Sequence, residues 1–194
     1  MKPSAPFPSC AIRLCERLNQ SGGIPVTTNL FTFVDLYSRG LTTLSHVLDQ
    51  GAALAKSKGA SEAEMLEWRL IEDMNPLRFQ AFVCVNFAKQ WTARVAGLEV
   101  PPDIASDLDL AGIKAAIEDA KGYLANLEPE QFEGRDEVPL TVTLGTGMAP
   151  TLPAAQWLTV FATTNFYFHL SMAYAILRAR GAELGKRDMF AGGL

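Results

Sequence analysis

Between Thr151 and Gly181 the chain reads TLPAAQWLTVFATTNFYFHLSMAYAILRARG, with no charged side chain before Arg178. Pro153 supplies a helix start and Gly181 a helix stop, so the segment reads as one long central helix. Its apolar residues cover more than one stripe. Leu158, Phe161, Asn165, His169, Met172 and Ile176 share one face, and Phe166, Leu170, Tyr174 and Leu177 share another. A helix that is apolar all round is either buried in protein or crosses a membrane. Gln156, Asn165 and His169 interrupt this one, and no other stretch approaches 18 consecutive apolar residues, so burial in a soluble helical bundle is expected and no membrane partner. Asn165 and His169 stand four residues apart and are surface neighbours on the helix. They either satisfy each other in the core or face a cavity together.

The rest of the composition narrows the partners. At 194 residues the chain fits one domain with a substantial core. Its net charge of −4 and scattered basic residues give no electrostatic footprint for nucleic acid. Three cysteines, Cys10, Cys15 and Cys84, form neither a disulfide framework nor a zinc spacing, which fits a reducing, cytoplasmic setting. MKPSAPFPSC lacks the apolar core of a secretory signal. Residues 1–28, with four prolines and the short CAIRLCERL segment, read as an N-terminal extension to a domain spanning 29–194.

Three long helical repeats precede the central helix. Phe33, Tyr37, Leu41, Leu44, Leu48 and Ala55 define the inward stripe of a helix from about Asn29 to Lys58, with His46 on its polar side. Ser61 and Glu64 form a capping box for a short helix that sends Met65, Trp68 and Leu70 inward. Pro76 opens a helix running to Gly97, with Leu77, Ala81, Cys84, Ala88, Trp91 and Val95 inward and Gln80 at the stripe's edge. Asp107 is a candidate cap for a third long helix carrying Leu110, Ile113, Ile117, Ala120, Leu124 and Leu127. Between Pro129 and Pro150 the period changes to two, with Val138, Leu140, Val142 and Leu144 alternating with polar residues and proline. That pattern is a strand, and with the residues after Gly147 it closes a small hairpin before the central helix. An all-α four-helix bundle with one inserted hairpin is the economical architecture.

No glycine-rich phosphate loop, HExxH, GxSxG or paired CxxC is present. Bundle cores build ligand sites between helices, and the groups able to line one here include Asp73, Gln80, Asn86, Asn165, His169 and Tyr174. Cys84 reads as a small buried hydrophobe.

From Leu30 onward the chain resembles an uncharacterised domain-of-unknown-function family within the DinB/YfiT-like superfamily of four-helix bundles. Three segments carry the resemblance: RL-x-x-DM-x-PL at Arg69 to Leu77, NFYFH-x-x-x-AYAILR at Asn165 to Arg178, and GAELGKRDMF near the C-terminus. The resemblance implies the bundle fold, a strand pair before the last helix, a pocket between helices and frequent dimerisation, hence a homodimer. Metal-bearing members of that superfamily hold a divalent ion with one histidine on the second long helix and an HxxxH pair on the last. Here His169 matches one of the pair, while Asn165 and Ala173 flank it and Gln80, Cys84 or Asn86 stand where the other helix would need its histidine. One imidazole with amides is a poor zinc site, so no metal and no cofactor are expected.

Two main readings remain. In the first, an inter-helix pocket binds a small organic molecule and performs metal-independent acid–base chemistry, an isomerisation, cyclisation or elimination, with His169, Asp73 and Tyr174 as the catalytic groups. Asn165, Gln80, Asn86, Trp91, Tyr37 and Met172 would contact the substrate. The imidazole is the titratable group suited to neutral pH. In the second, the bundle binds a ligand or dimerises without catalysis. A metal-dependent hydrolase or thiol transferase with an unusual ligand set is a weaker third.

Overall fold

The computed structural model describes residues 29–145 and 147–193. The N-terminal extension, with Cys10, Cys15 and CAIRLCERL, lies outside them. Helix α1 spans Thr32–Ser57 and buries Tyr37, Leu41, Leu44, Leu48 and Ala55, the stripe read from its three- and four-residue spacing. The short α2, Glu62–Leu66, starts at the expected capping box: the Ser61 hydroxyl accepts from the Glu64 amide at 3.2 Å, and the Glu64 carboxylate accepts from the Ser61 amide at 2.8 Å. It stops at Leu66 rather than continuing, so Met65 is buried but Leu70 is 39% exposed in the turns that follow. The expectation that Leu70 points inward is corrected by that early stop.

Helix α3 runs Leu77–Ala96 and ends on Gly97 at φ +75°, with the Leu98 amide donating to the Ala93 carbonyl. Helix α4, Leu110–Ala125, is capped by Asp109, whose carboxylate accepts from the Gly112 amide at 2.7 Å; Asp107 is not the cap. A 3₁₀ turn at Pro129–Phe132 leads to β1, Pro139–Thr141, and β2, Thr151–Pro153, paired antiparallel with Leu140 opposite Leu152. The alternation from Val138 to Leu144 is therefore one face of a hairpin whose Leu140, Val142 and Leu144 rest against the core.

Helix α5 covers 154–180 in three pieces: Ala154–Gln156, a π-helical stretch Trp157–Ala162, and Thr163–Arg180. Side chains add hydrogen bonds to carbonyls of the π stretch, including that of Leu158, which already accepts the Thr163 backbone N–H. Thr163 Oγ1 donates to the Leu158 carbonyl at 2.8 Å and Asn165 Nδ2 to the Phe161 carbonyl at 2.8 Å. Because the Thr163 proton is used there, the Tyr37 hydroxyl must donate to Thr163 Oγ1, 3.0 Å away.

The core-facing stripe of α5 is Phe166, Leu170, Ala173, Ile176 and Leu177. Burial on all sides, expected from its lack of charge, does not occur: Val160 is 60% and Phe168 52% exposed. Helices α1, α3, α4 and α5 enclose one continuous core. Cys84 sits inside it, 3.6 Å from the Phe166 carbonyl, and burial pushes its thiol well above the ordinary range, so it behaves as a hydrophobe. A 3₁₀ turn at Lys186–Phe190 lies on α1, where His46 Nε2 meets the Asp188 carboxylate at 2.7 Å. His46, expected on a solvated face, is thus part of a tether. The Gly185 amide and His46 hold the Asp188 carboxyl below its ordinary range.

Gly40 lies where α1 packs against α5: a Cβ there would run into the Phe166 ring. Alanine normally stabilises a helix interior by about 1 kcal/mol over glycine. At this position the clash should win, and Gly40→Ala is expected to destabilise the fold by about 1–3 kcal/mol, the usual cost of overpacking. Thermal and urea unfolding measure it, and an unchanged or raised stability would contradict the packing described.

Candidate functional site

Helices α3 and α5 pack as antiparallel neighbours, since contacts that ascend one helix descend the other. Gln80 meets His169, Cys84 meets Phe166, Phe87 stacks on Phe161, and Trp91 stacks on Trp157. At the α3 N-terminus this arrangement produces a polar relay. Gln80 is 2% exposed; its Nε2 donates to the Asn75 carbonyl at 2.9 Å, and its Oε1 lies 2.8 Å from His169 Nδ1. A backbone carbonyl only accepts, so the amide nitrogen of Gln80 must face Asn75 and its oxygen must face the imidazole. Nδ1 of His169 therefore carries a proton, and in the neutral ring Nε2 holds the free lone pair.

Burial lowers the His169 pKa below the ordinary value of 6.5. At neutral pH the ring is uncharged. Phe79 meets it edge-on at 5.9 Å and its neighbour Phe168 at 5.2 Å, and the ring is half-buried between them. Among the described residues, Nε2 makes no hydrogen bond. A basic nitrogen with a fixed tautomer, set among aromatic rings, can accept a proton or a ligand hydrogen bond. Beyond Phe79, a surface cavity of about 660 Å³ is lined by Asn75, Pro76, Phe79, Phe82 and the turn before α4. Asn75 and Phe79 thus belong both to this cavity's wall and to the surroundings of His169.

The residues expected to form a site separate into distinct places. Gln80 and His169 come together. Asp73 is exposed in the turns before α3, and the orienting contact to His169 comes from Gln80 rather than a carboxylate. The shift of the imidazole arises from burial alone. Tyr174 donates its hydroxyl to the Leu184 carbonyl at 3.4 Å, tying α5 to the C-terminal segment. Asn165 and His169 do not bond to each other: Asn165 Nδ2 donates to the Phe161 carbonyl one turn back, and His169 Nδ1 pairs with Gln80. Tyr37 is fully buried and, with Asn165, braces the π-helical stretch, while Trp91 stacks on Trp157 at 5.3 Å. Asn86 anchors the loop before α4 by accepting from the Ile104 amide at 3.0 Å, and its Nδ2 is buried without a partner. Met172 is half-buried on the flank of α5. Phe79, Phe168 and the carbonyl of Asn75 were missed by sequence reasoning. The Asn75-Pro76 helix start was the available signal, since it places a free carbonyl one turn before Gln80.

The superfamily's metal triad can be tested on the donors present. At the candidate places stand His169 with Asn165 or Ala173 on α5, and Gln80, Cys84 or Asn86 on α3; the Gln80 oxygen is bonded to His169 Nδ1 and the Asn165 nitrogen to a backbone carbonyl. Among the described residues, no three His, Cys, Asp or Glu side chains cluster as metal ligands do. One imidazole nitrogen and amide oxygens do not suit a zinc-type ion.

A family profile described as "Domain of unknown function (DUF1993)" matches residues 31–190. The chain belongs to the DUF1993 family. A crystal structure of a DinB family member protein from Shewanella denitrificans is similar to this DUF1993 chain at 28% identity and a TM-score of 0.74, covering 81% of this chain and 88% of that one. The DUF1993 bundle is therefore DinB-like. No curated protein matches the chain. Among the described residues, no helix is long and apolar enough to cross a membrane.

Replacing Gln80 by methionine keeps the volume but strands the His169 Nδ1 proton. Gln80→Met is expected to cost about 1–3 kcal/mol, the range for leaving a buried polar partner unsatisfied. Urea unfolding reads this directly, and a change below about 0.5 kcal/mol would show that the relay contributes little to the fold.

Proposed function

We propose that this bundle binds a small organic molecule beside His169 and performs metal-independent proton transfer on it, with His169 Nε2 as the base. The observation that carries the reading is the Gln80 relay, which fixes the proton on Nδ1 and leaves a neutral, partly desolvated Nε2 among Phe79 and Phe168. An isomerisation, cyclisation or elimination needs such a group, and proton transfer of this kind contributes about 10²–10⁴-fold in rate. Asn75 is the better-supported neighbour than Asp73, since its carbonyl orients Gln80 while Asp73 stands exposed. Tyr174 is a positioning group for the C-terminal segment rather than a catalytic one in this reading.

A second reading is association of two copies without chemistry. Phe168, 52% exposed on α5, and Phe79, 36% exposed on α3, favour it by leaving apolar area open on one side of the bundle. Sedimentation of the wild-type chain against Phe168→Ser separates the two: a dimer that the substitution abolishes, with no turnover of any co-purified molecule by the wild-type chain, supports association alone.

The catalytic reading is tested by recovering a co-purified small molecule by native mass spectrometry and following its turnover across pH. A base must be neutral to act, so the rate should fall as pH drops through the His169 pKa, on an acid limb lying below 6.5. His169→Gln should lower turnover about 10²-fold or more with little change in melting temperature. Unchanged turnover in that variant rejects His169 as the base.

A further inference from the structure

The hairpin and the π-helical stretch of α5 enclose a second cleft, on the opposite end of α5's exposed side from the C-terminal segment. It has a volume of about 350 Å³ and is walled by Leu144, Leu152, Trp157, Val160, Phe161 and Asn165 among others. We propose that it is a binding site for a flat, largely apolar ring molecule that carries one hydrogen-bond donor. This goes beyond the acid–base reading and does not depend on it, because the cleft's walls include neither His169 nor Gln80.

Three observations carry the assignment. The walls are held in place by hydrogen bonds and ring stacking. The Trp157 indole N–H donates to the Leu140 carbonyl of β1 at 2.8 Å, fixing the ring between hairpin and helix, and Trp91 stacks behind it. The π-helical stretch, which widens the helix and is braced by the chain from Tyr37 through Thr163 to the Leu158 carbonyl, sets Phe161 edge-on to Trp157 at 5.2 Å. Such local widenings recur at functional sites because they cost stability to maintain.

The second observation is the polar group in the wall. Asn165 Nδ2 is committed to the Phe161 carbonyl, which can only accept. Its orientation is thereby fixed, and Oδ1 remains as an acceptor with no partner among the described residues. A ligand N–H or O–H completes it. The third is size. A cleft of this volume, with nine lining residues, suits a one- or two-ring molecule, whereas a stable contact with a second copy engages about 20–30 residues a side. Val160, 60% exposed at the rim, leaves the mouth accessible.

Indole is a suitable probe, being flat and apolar with one donor, and 1-methylindole is the same ring without it. Titration of the full chain with each, followed by backbone amide NMR, reads both location and affinity. Indole should shift the amides of Leu144, Leu152, Val160 and Asn165, and 1-methylindole should bind about five-fold more weakly, the effect of one hydrogen bond near 1 kcal/mol. Val160→Trp, which places a large ring at the exposed rim, should abolish the shifts. The proposal is overturned by any of four results: no shifts at about 5 mM indole, equal affinity for the two probes, shifts centred on Phe79 and Phe168, or a self-association through the cleft that Val160→Trp removes.

Discussion

The hydrogen bond between Gln80 and His169 joins the two most intimately packed helices of the bundle at a point where an apolar contact would have been simpler. Both partners are constrained from behind, Gln80 by the Asn75 carbonyl and His169 by the register of α5. That register is in turn set by a stack of contacts, Cys84 on Phe166, Phe87 on Phe161 and Trp91 on Trp157, which leaves no freedom to slide by one turn. An amide thus holds the histidine in a single tautomer, a task that a carboxylate or a metal performs elsewhere. With an amide the ring stays neutral: no nearby negative charge raises its pKa, and burial lowers it.

The same helix shows how a π-helical stretch is accommodated. Its carbonyls at Leu158 and Phe161 take side-chain donors from Thr163 and Asn165, and Tyr37 reaches across from α1 to the Thr163 hydroxyl. Tyr37 is fully enclosed, and burial drives its hydroxyl far above the ordinary phenol range, so it serves as a fixed neutral donor. The polar residues of α5 thereby divide the helix into two regions. Near the hairpin they stabilise an unusual backbone, and near the start of α3 they present an imidazole.

Much of the architecture was legible in the sequence because it rests on periodicity and local chemistry. The stripes of α1, α3 and α4, the Ser61–Glu64 box, the Gly97 and Gly181 stops and the alternating hairpin all follow from rules that act within a few residues. The central helix was harder to orient. Its lack of charge hid that Val160 and Phe168 are exposed, since composition does not distinguish an apolar face turned to solvent from one turned to the core. The site was legible only in part. His169 and Gln80 could be named from their residue types, but their pairing depends on the antiparallel register of α3 and α5, a property of tertiary packing. For the same reason Asp73, only seven residues from Gln80 in the chain, ends in an exposed turn, and His46 finds Asp188 across 142 residues.

The tautomer of His169 is the claim on which the functional account stands, and imidazole ¹⁵N NMR reports it without knowledge of any substrate. Long-range ¹H–¹⁵N correlation across a pH series should show His169 protonated at Nδ1 and bare at Nε2 in its neutral form, with a titration midpoint below 6.5. A ring protonated at Nε2, or a midpoint at or above 6.5, would contradict the account.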